Sequence, residues 1–147
     1  MTPHAQPRIG GWLIVFAIVL LLFAIRTVIH LVALAPALPI AFSNGFSSLW
    51  KFSVLCEFAG NTLLVAAAVV LLVLFLRKRR SFRRAALAFV GFLVVFTVAD
   101  LMVALSVPEI AARPTFPWRS IIIVVLSAGI ATWYLLASQR VRDTFTR

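Results

Sequence analysis

Residues 52–84 read FSVLCEFAGNTLLVAAAVVLLVLFLRKRRSFRR. The first 25 of them, Phe52 to Leu76, are almost continuously apolar and hold one charge, Glu57, and one amide, Asn61. The last eight, Arg77-Lys78-Arg79-Arg80-Ser81-Phe82-Arg83-Arg84, carry six positive charges. A helix rises about 1.5 Å per residue, so about 20 apolar residues cross a hydrocarbon layer of about 30 Å. A run of this length, ended by clustered cations, predicts a membrane-crossing helix. The turn that follows it belongs on the cytoplasmic face, where Lys and Arg accumulate.

Working outward, three further apolar segments appear, at 9–34, 85–107 and 119–137. The chain of 147 residues is 63% hydrophobic and only 12% charged. Soluble domains carry about twice that share of charge, and a fold this small cannot hide so much apolar surface from water. The expected fold is therefore all-α: a single membrane domain over 1–147, an integral four-helix bundle. Its first loop is residues 35–51, broken by Pro36, Pro39, Asn44 and Gly45, and its third connection holds Pro108, Pro114 and Pro117. Ala33-Leu34-Ala35 has the small-residue look of a signal-peptide cleavage site. The apolar run before it is too long for a signal peptide, and the segment reads as an uncleaved helix.

Charge sets the orientation. Ten cations fall on one side: Arg8, the six of the basic run, and Arg140, Arg142 and Arg147. Three fall on the other, Lys51, Arg113 and Arg119, while Arg26 lies within the first helix. Both termini are then cytoplasmic (N-in/C-in). Trp12, Trp50, Trp118 and Trp133 all fall near helix ends, where amphipathic rings prefer the interface. The formal net charge of +10 is spread in short runs between apolar stretches. That placement suits anionic headgroups rather than nucleic acid, and it makes Arg77, Lys78, Arg79, Arg80, Arg83 and Arg84 candidate lipid contacts.

Five residues interrupt the apolar helices: Arg26, His30, Glu57, Asn61 and Asp100. Each is costly in hydrocarbon and is expected to face the interior and pair. Counted from the helix midpoints, the three charges lie roughly 6–11 Å toward the outer face. Arg26 with His30, and Glu57 with Asn61, share faces at i, i+4 spacing. A buried polar cluster in the outward half of the bundle is expected. It reads either as an ion-paired network that fixes helix register, or as a proton, ion or ligand site.

No Gly-rich phosphate loop, Ser-His-Asp arrangement or HExxH motif is present in the sequence. His4 and His30 are its two histidines and Cys56 its one cysteine, so no haem, cysteine-based zinc site or internal disulfide is expected. No cofactor and no enzymatic activity are expected. Gly60, Ala67, Gly91 and Gly129 read as sites of close helix contact.

The two ends carry a resemblance. Ile9-Gly10-Gly11-Trp12-Leu13 opens the first helix, and Trp133-Tyr134-Leu135-Leu136 with Ser138, Arg140, Val141, Thr144 and Phe145 closes the last. Together they resemble the domain-of-unknown-function group 2569 (DUF2569, the YdgK-like proteins) of bacterial inner-membrane proteins, over essentially the whole chain. The resemblance implies a bacterial cytoplasmic membrane and carries no activity. It directs attention to Gly11, Trp12, Arg140, Val141 and Phe145 as a candidate cytoplasmic partner contact. The expected role is that of an accessory or assembly subunit, with membrane lipids and other membrane subunits, or the chain itself, as partners. The alternative is a small oligomeric transporter using Arg26, Glu57 and Asp100.

Overall fold

The computed structural model describes residues 11–43, 45–107, 118–138 and Val141. Five helices occur in them and no strand: α1 (Trp12–Leu34), α2 (Ala37–Ala41), α3 (Ser48–Leu76), α4 (Ser81–Ser106) and α5 (Trp118–Ala137). α1, α3 and α4, of 23, 29 and 26 residues, are long and apolar enough to cross a membrane. α5 has 20 residues, and the apolar stretch described in it, Ile121–Ala137, is shorter. This is a membrane protein.

α3 is the central helix, packing on α1 and on α4, while α5 packs on α4 and the short α2 leans on α3. One apolar core joins Leu13, Leu20 and Ala24 of α1 to Leu64, Ala68, Leu71 and Phe75 of α3. It continues through Phe82, Ala86, Phe89 and Val90 of α4 to Ala128 and Leu135 of α5. Edge-to-face aromatic pairs set the register, with Phe16 on Phe82 at 6.0 Å and Phe23 on Phe89 at 5.8 Å. Both partners advance by seven residues together, so α1 and α4 run parallel, with α3 antiparallel between them. Away from the core the helices are apolar and uncovered, as at Ile18, Leu22, Val70, Val95 and Ile130.

The connections are more helical than the sequence suggests. Residues 35–51, read as a loop, contain α2 and the first turn of α3. Pro36, with φ −63, is already in helical geometry where it opens α2. Ser47 caps α3 by accepting a hydrogen bond from the Trp50 amide at 3.2 Å. The basic connection also shrinks, because α4 begins at Ser81 and takes Arg83 and Arg84 into its first turn. α4 stops at Ser106, and Val107 turns extended (φ −90, ψ 113), as a residue preceding proline prefers.

Hydroxyls within the helices are satisfied locally. Thr27, Thr62, Thr97 and Ser106 each donate to the carbonyl four residues back, at 2.8 Å. Such back-bonding lets a hydroxyl sit in an apolar layer without a cross-helix partner.

Candidate functional site

The polar residues are placed by the same spacing that builds the core. On α3 the positions facing its neighbours step by four and three: Val54, Glu57, Asn61, Leu64, Ala68, Leu71 and Phe75. Alternating steps of four and three keep one face toward a partner helix. Glu57 and Asn61 therefore occupy core positions. On α4 the steps run Phe82, Ala86, Phe89, Leu93, Phe96 and Asp100. On α1 they run Leu13, Phe16, Leu20, Phe23, Thr27 and His30. Each packing seam is apolar for most of its length and becomes polar toward one end of the molecule.

These ends meet. His30 Nε2 and Glu57 Oε1 lie 2.9 Å apart, an ion pair when the imidazole is protonated and a hydrogen bond when it is neutral. Register brings Asp100 to the same level. Phe75 packs on Phe82, and Gly60, fifteen residues back along α3, faces Phe96, fourteen forward along α4. Three more residues back and four forward lead to Glu57 and Asp100. Asp100 is half-buried and within electrostatic reach of both Glu57 and His30. Asn61 turns its amide to the Glu57 carbonyl at 2.8 Å, closing its own helix rather than bridging to another.

Two features of the expected cluster are corrected. Arg26 is not part of it. Arg26 is exposed, forms no hydrogen bond or ion pair among the described residues, and is not among the groups acting on Asp100. The cause is angular. At about 100° per residue, Arg26 points roughly 130° away from the Leu13–Leu20–Ala24–Thr27 stripe, whereas His30 stands at its margin. The cluster is also not sealed within the chain: the side chains of His30 and Glu57 are 50% and 29% exposed.

An arginine facing outward near the middle of a membrane helix costs about 2.5–3.5 kcal/mol on insertion scales. His30 and Glu57 are joined by one hydrogen bond of ordinary length, within electrostatic reach of a second carboxylate, Asp100. Among the described residues no three His, Cys, Asp or Glu side chains gather closely enough to hold a metal ion.

Below the polar level, Gly60 admits the Phe96 ring, and a Cβ there would overlap it. Gly91 and Gly129, expected at close contacts, have nothing within 4 Å of where a Cβ would stand. The basic run is divided in its roles. Arg83 is half-buried and donates its Nε–H to the Leu135 carbonyl at 3.0 Å, tying the start of α4 to the last turn of α5. That carbonyl is one of the four that a helix end leaves without an internal partner. Arg77, Arg79, Arg80 and Arg84 are exposed, and Lys78 is half-buried in a left-handed turn at φ 50.

Of the residues drawn from the chain ends, Gly11 precedes α1 with φ 60, and Trp12 is 72% exposed. Val141 is fully buried in the core with Leu13 and Leu135, which removes it from any partner surface. Arg140 and Phe145 lie outside the described residues.

No curated protein and no solved structure matches the chain. A family profile does match, over residues 6–146, which is nearly the entire chain. The chain therefore belongs to the family described as "Protein of unknown function (DUF2569)".

Proposed function

We propose that this protein acts within a bacterial cytoplasmic membrane as a non-enzymatic accessory or assembly subunit of a larger membrane complex. Its four long helices form one bundle, α5 included, with both termini in the cytoplasm. The observation that carries this reading is the distribution of surface. The long helices keep broad apolar faces uncovered, while α3 and α4 are joined by only residues 77–80. Uncovered apolar faces joined by so short a turn make helices and lipids the natural ligands. The exposed basic residues of the α3–α4 turn are suited to anionic headgroups.

Affinity isolation of the full-length protein from native membranes in a mild detergent tests this. A membrane protein recovered in stoichiometric amount supports the reading, and recovery of lone monomers under cross-linking conditions rejects it.

One observation favours a second reading, a small permeation element: His30, Glu57 and Asp100 converge from three helices. Arg26 drops out of the set. Four helices rarely enclose a path alone, so this reading requires an oligomer. It predicts that Glu57→Gln and Asp100→Asn abolish proton or cation flux in proteoliposomes while leaving helicity intact. Flux equal to the unmodified protein's would reject it.

A further inference from the structure

We infer that α1 is a self-association face, on which Arg26 of one copy pairs with Glu57 of a second copy, and reciprocally. This rests on the membrane-bundle reading above and goes beyond it by naming the partner and the contact.

Arg26 is a charge left without a polar partner among the described residues. It sits on an exposed stripe of α1 with Val15, Val19, Leu22, Ile29 and Ala33. It lies about 5 Å past the midpoint of α1, and the helix runs another eight residues, about 12 Å, before it ends at Leu34. Over that distance the headgroup layer is reached only by snorkelling and local thinning of the bilayer. Intramembrane charges pair with one another.

The complementary charge is reached through His30, which bonds Glu57. Glu57 and Asp100 place two carboxylates at one level, with a single imidazole among them. With both carboxylates ionised that group carries −2 when His30 is neutral and −1 when it is protonated, and in those states it accepts a cation. Glu57 remains 29% exposed beside a half-exposed His30. Arg26 is one turn and about 40° from His30 around α1. His30 links the cation to the carboxylates, standing four residues from Arg26 on α1 and bonded to Glu57 of α3. A two-fold axis between two copies of this face sets each Arg26 opposite the other copy's Glu57, which is the self-complementarity an isologous dimer requires. A partner of different sequence needs its own carboxylate at this depth; a second copy already carries one.

The test uses the full chain, labelled separately with donor and acceptor fluorophores and reconstituted into liposomes. Energy transfer is followed as the lipid-to-protein ratio is raised. The unmodified protein is expected to retain transfer on dilution. Arg26→Glu and Arg26→Ala should each weaken association at least tenfold, and Arg26→Lys should keep most of it. Mixing Arg26→Glu donors with Glu57→Arg acceptors should restore transfer, because both contacts of that mixed pair are again of opposite sign. Each variant alone should not associate.

Glu57→Arg also breaks the bond to His30, so the Arg26→Ala and Arg26→Lys arms, which leave the packed face untouched, decide the matter if it misfolds. Self-association is overturned if the inserted, helical protein shows only random-encounter transfer, or if Arg26→Ala associates as the unmodified chain does. Either result leaves the accessory-subunit reading standing. A chain that fails to insert into the liposomes overturns both.

Discussion

At the scale of single residues, Gly60 determines how closely α3 and α4 approach beneath the polar level. A methyl group there meets the ring of Phe96, which is itself stacked at 6.0 Å on Phe92. Overpacking of this kind typically costs about 1–3 kcal/mol. Gly60→Ala should lower the thermal midpoint in detergent, and Phe96→Leu in the same chain should recover part of the loss by freeing the space. Arg83 gives a second prediction. Arg83→Ala leaves the Leu135 carbonyl without its cross-helix donor, with an expected loss of about 1 kcal/mol. Hydrogen exchange should quicken first in the last turn of α5. An unchanged exchange pattern would show that the bond adds nothing. Neither role is visible in composition: Arg83 looks like any member of a basic run until α5 folds back against α4.

At the scale of elements, the end of α3 is closed by a Schellman turn. The Arg79 amide reaches the Leu74 carbonyl, the Lys78 amide reaches that of Phe75, and Lys78 takes the left-handed conformation. Glycine is the usual occupant of that position, since a side chain there costs about 1–2 kcal/mol. Lys78→Gly should therefore stabilise the protein by about 1 kcal/mol, read as a higher unfolding midpoint. Ser47→Ala at the other end of α3 should destabilise it by about 1 kcal/mol through loss of the cap.

The helices themselves were legible from apolar length, but the packed face of each was not. In α1 almost every position is hydrophobic, so several stripes satisfy the four–three spacing equally well. Only the polar residues break the tie. Read by azimuth, they separate His30, Glu57 and Asp100 from Arg26; read by depth, they do not. The small residues mislead for a related reason. Gly60 and Gly91 are alike in sequence, and only the approach of Phe96 distinguishes them.

At the scale of the whole molecule, the charge asymmetry makes one claim on orientation. Reporter domains inserted near Gly45 and near Arg79 should appear on opposite sides of the bilayer, with the second cytoplasmic. Finding both on one side would undo the proposed topology. The molecule's all-helical, membrane-embedded character could be read from the sequence, because apolar length and clustered cations leave few alternatives. The convergence of His30, Glu57 and Asp100 required the register, which Phe16, Phe75 and Phe82 set at the far end of the helices.

The parallel course of α1 and α4 also bears on biogenesis. A ribosome adds about 5–20 residues per second. The hairpin of α1 and α3, with its His30–Glu57 bond, can thus form seconds before Asp100 emerges. Through that interval the face of α3 destined for α4 has no cognate helix. A nascent chain from which α3 has emerged and α4 has not is then the form most exposed to an insertase or membrane chaperone, and to capture by the wrong neighbour.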